Sequence, residues 1–350
     1  MADISNGISD WDGFFKDFEM SELVTLEEIR AAQQRIAGTA VRTALHRLSQ
    51  AKLSAANIPE PKFDIYIKAE SEQPIGSFKL RGAYNMVAQL SPEALRRGVI
   101  TYSSGNHAQG VAYAARAVGA KAVIVMPDNA PEVKKAATKA LGAEIVTVGP
   151  ASSERQAKAE ELARQFGYTI IPPYDHPAII AGQATCGLEI VEQLPGVELI
   201  VAPVSGGGLL SGVATAAKLT TQNVQVWGAE PELAADAKES FETKSLVKWP
   251  AEKTTRTIGD GLRTQSLGAL NFAHIMRYVD GIVAVSEEEI LSAIRVMLSA
   301  TKLVPEPSGA VALAAALFHP EELPDVRTVA VILSGGNLEP ELRERLEAGS

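Results

Sequence analysis

The sequence predicts an α/β protein with largely parallel sheets, and three observations carry that expectation. Apolar, strand-like runs at 65–68, 99–102, 122–126, 144–148, 199–203, 225–229, 282–285 and 328–333 alternate with helical stretches at 78–90, 107–118, 131–141, 154–166, 179–193 and 210–218. Such alternation implies right-handed βαβ crossovers. Glycine-containing turns follow the strands at 103–107, 205–209 and 334–337, where open α/β sheets form their ligand crevices. Finally, 350 residues with a hydrophobic fraction of 46% supply enough core for two domains rather than one.

Taken in order, the chain carries its own punctuation. Residues 1–20 read as an extension. Thr25 with Glu28 forms a capping box that opens a helix, as does Ser286 with Glu289. Ser91-Pro92 starts a short helix that Gly98 ends. Residues 237–263 have the weakest periodicity and many charges, and are expected to be an irregular surface connection. No solenoid repeat or low-complexity linker interrupts the pattern.

Composition excludes several classes of function. A net charge of −9 argues against nucleic acid as a partner, since phosphate contacts need clustered Lys and Arg. The single cysteine, Cys186, rules out an internal disulfide framework and any CxxC motif. The acidic first twenty residues lack the basic start and apolar core of a secretory signal. Residues 199–217 are uncharged, but Pro203 and the run Ser205-Gly206-Gly207-Gly208 make them a strand, loop and helix rather than a membrane span. The expected compartment is the cytoplasm.

Two kinds of motif bear on chemistry. A glycine turn feeding a helix N-terminus presents unpaired N–H groups to an anion, and 205–209 is the best such cradle in the chain. Neither GxxxxGK[ST] nor GxGxxG is present, so nucleotide and nicotinamide sites lose support. The glycine pattern alone leaves phosphate binding and a plain structural turn both open. The segment Ile75-Gly76-Ser77-Phe78-Lys79-Leu80-Arg81-Gly82-Ala83 adds a lysine at a helix start. Partial desolvation there would lower its pKa and free the amine for a Schiff base, although most lysines are solvated surface residues.

GSFKLRGA, SSGNHAQG, SGGGLLSG and ILSGGN, in this order, resemble the signature of fold-type II pyridoxal-phosphate (PLP) enzymes, in particular the threonine/serine dehydratase and serine racemase family. The resemblance covers roughly residues 20–340. It implies two open, twisted, mostly parallel α/β sheets of the tryptophan synthase β type, with PLP in the cleft. The large domain would comprise 1–97 and 173–350 and the small domain 98–172. It further implies that Lys79 carries the cofactor, Phe78 packs beside it, Asn106 bonds its ring hydroxyl, and Gly206, Gly207, Gly208 and Leu209 hold its phosphate. Ser205 stands where many relatives have a glycine, so its hydroxyl either adds a phosphate contact or is merely tolerated. Ser334 would meet the pyridine nitrogen, Glu306 resembles a glutamate near the ring, and Ile75 replaces a common threonine.

For the substrate, the resemblance implies that Ser103, Ser104, Asn106 and His107 surround its carboxylate, with Ser104 facing Lys79 across the cofactor. His107 reads as a structural hydrogen-bonding residue, and His46, His176, His274 and His319 as unclustered surface or core histidines. Arg155 aligns with an arginine that binds a second carboxylate, as in 3-hydroxyaspartate; the other reading is a solvated arginine at a helix start. Glu230, the Ala234 carbonyl and Asp236 resemble a cation site with hard oxygen ligands for Mg²⁺, Mn²⁺ or Ca²⁺, against an ordinary acidic loop in which Glu232 is solvated.

The expected activity is elimination of the β-hydroxyl of serine, threonine or 3-hydroxyaspartate to give a 2-oxo acid and ammonia, by a homodimer. Racemisation on the same scaffold is the alternative. A β-replacement synthase such as cysteine synthase fits the Ser-Phe-Lys-Leu-Arg-Gly run less well, and a non-catalytic PLP or amino-acid-binding protein does not explain why Lys79, Ser104 and Asn106 are all present.

Overall fold

The computed structural model describes residues 23–49, 53, 61–130, 132–149 and 152–348. The extension expected at 1–20 and the helix start expected at 131 lie outside these residues. In chain order the elements are α1 Leu26–Ile36, β1 Leu45–Arg47, β2 Asp64–Ala69, α2 Lys79–Val87, α3 Pro92–Arg97, β3 Val99–Tyr102, α4 Asn106–Ala117, β4 Ala122–Pro127, α5 Glu132–Ala140, β5 Glu144–Val148, α6 Ser152–Phe166 and β6 Thr169–Ile170. There follow α7 Pro177–Gln193, β7 Leu199–Pro203, α8 Gly208–Thr220, β8 Gln225–Pro231, α9 Asp236–Thr243, α10 Ala251–Thr254, α11 Ala269–Tyr278, β9 Gly281–Val285, α12 Glu287–Ala300, α13 Pro307–Phe318, β10 Thr328–Leu333 and α14 Pro340–Ala348.

These strands form two sheets. One has the order β1-β2-β10-β7-β8-β9 and is parallel except at β1; the other, β5-β4-β3-β6, is parallel throughout. Every residue of β4 and β7 is buried, as parallel strands covered by helices on both faces require. Both predicted capping boxes form, at Thr25 and Ser286. Ser91 Oγ caps α3, which Gly98 ends at φ +104°.

The expectation for 237–263 is corrected in part. Most of the segment is irregular, but it opens with α9 and buries Ala237, Ser240, Thr254, Thr257 and Leu262. It is not simply a surface connection.

α2, which begins at the candidate lysine, is fixed from two sides. Ala83, Met86 and Val87 share a core with Val99, Val111 and Ile124 of the four-stranded sheet and its helices. On its other side α7 approaches backbone to backbone, since a Cβ on Gly182 would come within 2.5 Å of the Gly82 Cα. Beneath α2 lies a buried ionic network. Arg81 donates to both oxygens of Glu70 (2.7 and 2.8 Å) and of Glu189 (2.8 and 2.8 Å). Lys68 donates to Glu189 at 2.6 Å, and Thr43 Oγ1 to Glu70 at 2.6 Å. Burial alone would raise the Glu70 carboxyl, but the Arg81 guanidinium holds it below its usual range. Two cations face two anions, so the charges within this network balance.

Among the described residues, no helix is long and apolar enough to cross a membrane.

Candidate active site

Two of the sequence motifs are stitched together by main-chain bonds. Phe78 N donates to Ser334 O at 3.0 Å, Gly336 N to Gly76 O at 2.9 Å, and Ser77 pairs with Gly335 in an isolated antiparallel bridge. The lysine turn therefore runs alongside the turn that leaves β10. A third turn joins through side chains. Asn106, the first residue of α4, donates through Nδ2 to Glu306 Oε1 at 2.6 Å and accepts at Oδ1 from Asn337 Nδ2 at 2.7 Å. Asn337 also donates to Ile75 O at 3.0 Å, and Glu306 N to Gly335 O at 3.0 Å. Both polar ends of the Asn106 amide are thus fixed, with one amide proton left over.

Lys79 is half-buried, and its amine donates to Pro173 O at 3.0 Å and lies 5.1 Å from the centre of the Phe78 ring. Desolvation lowers its pKa to about 8, against a smaller opposing pull from Glu306. α4 passes directly over it: a Cβ on Gly110 would sit 3.3 Å from the Lys79 carbonyl. His107 is buried, and its pKa falls to about 3 through desolvation and the neighbouring Lys79 charge. Its Nε2 lies 3.0 Å from Ile171 O, which can only accept, so the neutral ring carries its proton there. Desolvation, with Asp260 nearby, raises Glu306 to about 7. Ser334 is buried, and Ser103 and Ser104 are half-buried in the turn ahead of α4, where Ser103 Oγ accepts from Gly105 N at 3.3 Å.

The glycine cradle leads from β7 into α8. Gly207 has φ +98°, a left-handed conformation that a side chain would strain. A Cβ on Gly206 would come 2.4–2.5 Å from the ring of Tyr174, so the loop and that ring are in direct contact. The first N–H groups of α8 have no intrahelical acceptor and point out of its N-terminus, as an anion site requires. The Ser205 hydroxyl is engaged by Thr264 Oγ1 at 2.7 Å and by Thr264 N at 3.3 Å. Leu209 is buried in the first turn of α8.

Two further expectations concern residues outside this cluster. Arg155 lies on α6, half-buried rather than solvated, and burial lowers its guanidinium pKa. Glu230 lies near the end of β8, Ala234 closes a short 3₁₀ turn at Glu232–Ala234, and Asp236 starts α9; all three are buried while Glu232 is exposed. Glu230 accepts from Ala237 N and Lys238 N, whereas Asp236 Oδ2 is buried without a hydrogen-bond partner among the described residues. Burial and the Asp236 charge raise Glu230 well above the carboxylate range, and burial raises Asp236 to about 7. Two buried carboxylates and an orphaned oxygen suit a hard divalent cation.

Several contacts escaped the sequence. Tyr174, Thr264 and Asn271 pack on or bond to the cradle, yet none belongs to a glycine motif; the only signal was the Pro172-Pro173 break after a strand end. Lys134 of α5 bonds Asp260 at 2.6 Å, which links the helices of the four-stranded sheet to a turn held on α13 by Gly261 N and Ser308 Oγ (2.9 Å). His319, Glu321 and Glu322 form a carboxylate–imidazole group on the surface, with His319 bonded to Glu289 at 3.0 Å and Glu322 at 2.8 Å.

A lysine amine of lowered pKa, a side-chain-free anion cradle, a locked amide and a buried serine together suit an aldehyde that carries a phosphate ester and a heteroaromatic ring. Comparison with known proteins agrees. Residues 23–335 match the model of the pyridoxal-phosphate dependent enzymes. The L-threo-3-hydroxyaspartate ammonia-lyase of Saccharomyces cerevisiae is 42% identical over 275 residues, covering 79% of this chain and 83% of that protein. The serine racemase of Schizosaccharomyces pombe is 38% identical over 319 residues, covering 91% and 96%. Among solved structures, a threonine deaminase from T.th. aligns with a TM-score of 0.83 and 43% identity, covering 90% of this chain and 99% of that one. The chain belongs to the family of pyridoxal-phosphate dependent enzymes.

Proposed function

We propose that the chain is a PLP-dependent ammonia-lyase that eliminates the β-hydroxyl of serine, threonine or 3-hydroxyaspartate and releases a 2-oxo acid and ammonia. The observation that carries the proposal is the Lys79 amine, desolvated to a pKa of about 8 with a carbonyl rather than a carboxylate as its partner. The ammonia-lyase and deaminase relatives support the reaction class. Bound at this lysine, PLP supplies the electron sink that makes the Cα proton acidic.

The chain's own residues do the rest. Lys79 Nζ, set free once the substrate amine has taken its place, takes up the Cα proton. The substrate carboxylate lies against the turn 103–107 at the N-terminus of α4, where backbone donors converge. Asn106, locked by Glu306 and Asn337, would offer its remaining amide proton to the cofactor, and Phe78 and Ser334 would hold the ring. Gly206, Gly207, Gly208 and Leu209 hold the phosphate. The Cβ–O bond breaks as the Cα–H electron pair enters the Cα–Cβ bond, and the hydroxyl leaves as water, its added proton balancing the one that Lys79 took from Cα. The released enamine tautomerises to an imine by gaining a proton at Cβ and losing one from nitrogen, and water hydrolyses that imine, so one amino acid yields one oxo acid and one ammonia.

In the same reading Glu230, Asp236 and the Ala234 carbonyl hold Mg²⁺, Mn²⁺ or Ca²⁺, which neutralises two buried carboxylates; the orphaned Asp236 oxygen supports this. Arg155 reads a second substrate carboxylate. Residues 98–172 form the small domain, and 1–97 with 173–350 the large one, which the separate pairing of β3–β6 supports. The enzyme works as a cytoplasmic homodimer.

Racemisation is the second reading, favoured by the serine racemase relative and by Ser104, whose hydroxyl would return a proton to the opposite face of Cα. One assay separates the two. With PLP and Mg²⁺ present, L-serine, L-threonine and both diastereomers of L-3-hydroxyaspartate are followed for 2-oxo acid and for enantiomer. Oxo acid and ammonia in equal amounts are expected; D-product without oxo acid would make the chain a racemase, and no product from any of the four would reject both readings.

A further inference from the structure

Gly206, the first glycine of the cradle, is held in place by groups from outside its own loop. Its carbonyl accepts from Gly268 N at 3.0 Å and from Asn271 Nδ2 at 2.8 Å. Both donors sit at the start of α11, and Asn271 is fully buried, with its own carbonyl receiving Ser211 Oγ of α8 at 3.1 Å. A Cβ on Gly207 would come 2.8 Å from the Asn271 Cβ, so this residue also limits the loop sterically. The first turn of α11 is thus the back wall of the cradle.

α11 has no N-cap side chain of its own, because Gly268 occupies that position. The cap comes from a distant segment. The Asp175 carboxylate accepts from Ala269 N at 3.1 Å, Leu270 N at 3.1 Å and Asn271 N at 3.2 Å, and it fills the space where a Gly268 side chain would lie. A carboxylate is the group best matched to three converging N–H donors and the positive end of a helix. The residues before Asp175 face the same site from the front. Pro173 O accepts from Lys79 Nζ, the Tyr174 ring lies against Gly206, and the Tyr174 Cβ and backbone lie against Gly208. Three consecutive residues between β6 and α7 therefore touch the lysine, the cradle and the helix behind the cradle.

We propose that Asp175 is a positioning residue for the cofactor phosphate. By capping α11 it fixes Gly268 and Asn271, and these orient the Gly206 peptide so that the N–H groups of 206–209 converge on one anion. Asp175 does not touch the phosphate; it acts through Asn271 and Gly268. The inference rests on the assignment of 206–209 as the phosphate cradle.

The test compares two aldehydes on the apoenzyme, PLP and pyridoxal, the latter lacking the phosphate. Dissociation constants are read from the absorbance of the lysine adduct, without turnover. In the wild type PLP should bind far more tightly than pyridoxal. Asp175→Ala removes the cap carboxylate altogether and should cut the PLP-over-pyridoxal preference about tenfold, the size of one N-cap interaction. Asn271→Ala, which removes the Nδ2 bond to Gly206 O, should cut it similarly. In both variants pyridoxal affinity should stay within about twofold of wild type, since a general loss of structure would weaken both aldehydes alike. An unchanged preference in both variants, or equal losses for the two aldehydes, would overturn the role of Asp175. A wild type that forms the adduct but shows no preference for PLP would instead overturn the cradle assignment itself.

Discussion

Lys68, a member of the buried ionic network, and Lys79, at the start of the helix that carries Arg81, have surroundings that could hardly differ more in chemical consequence. Lys68, fully buried at the end of β2, donates to Thr43 O at 2.8 Å, Glu189 at 2.6 Å and Gln193 at 2.9 Å, which uses all three ammonium protons and pairs the charge. Lys79, less deeply buried, faces Pro173 O, and desolvation lowers its pKa to about 8. Burial by itself does not make a lysine reactive. What does is burial without a carboxylate partner, because the desolvation cost of the charged form is then not offset. The histidines repeat the contrast. His107, buried beside Lys79, is pushed down to about 3, whereas burial lowers His319 less than Glu289 and Glu322 raise it.

The comparison breaks most visibly at Lys79 and Lys68 themselves. Lys79→Ala should lower turnover by roughly a thousandfold or more, since it removes both the cofactor's anchor and the base. Yet it should cost about 1 kcal/mol or less of unfolding free energy, because only a carbonyl bond is lost. Lys68→Met should do the reverse. It leaves Arg81 alone against Glu70 and Glu189, and one uncompensated buried charge typically costs about 3–5 kcal/mol, measurable as a lower urea midpoint, while the apoenzyme that remains folded still binds PLP. Equal stability losses in the two variants would remove the distinction.

Glu230 and Asp236 are the anionic counterpart of Lys79: buried, and in the case of Asp236 Oδ2 without a hydrogen-bond partner among the described residues. Free Mg²⁺ at about a hundred times its dissociation constant should stabilise the folded protein by about 2.7 kcal/mol. That gain should vanish in Asp236→Asn, and a thermal midpoint blind to Mg²⁺, Mn²⁺ and Ca²⁺ would leave the pair without a cation.

A smaller effect tests the lowered pKa directly. The neutral amine is the form that captures PLP, so the rate of apoenzyme reconstitution should rise about tenfold from pH 7 and level off once pH passes about 8. A rate still climbing at pH 10 would mean an ordinary lysine.

The smallest effect concerns His319. Its folded pKa is raised, so its contribution to stability is fully present below the unfolded value of about 6.5 and is lost as pH rises through the folded pKa. His319→Gln should therefore lower the thermal midpoint slightly at pH 5.5 and leave it unchanged at pH 9.

Much of this was legible in the sequence where one physical signal dominated. Strands buried on both faces read as continuous apolar runs, and the capping boxes at Thr25 and Ser286 were visible from side-chain spacing alone. Other elements gave no such signal. α13 is buried around its whole circumference at 307–316, so it lacks the one-sided stripe that marks a surface helix. β1 and β6, of three and two residues, are too short to show alternation. At the site, the motif residues Lys79, Asn106, Gly206 and Ser334 announced themselves, but the groups that orient them did not. Asp175 is separated from Asn271 by 96 positions, and no local pattern reports a bond that only the packing of α7, α8 and α11 brings about. Arg81, legible as part of a motif, gave no hint that it would be fully buried between Glu70 and Glu189.

The most direct measurement is to reduce the PLP-loaded protein with borohydride, digest it, and locate the pyridoxyl group by mass spectrometry. A single modification on Lys79, with none on Lys68 or Lys134, is the expected result. A pyridoxyl group on another lysine, or a chain that takes up no PLP, would contradict the assignment of Lys79 as the cofactor's anchor.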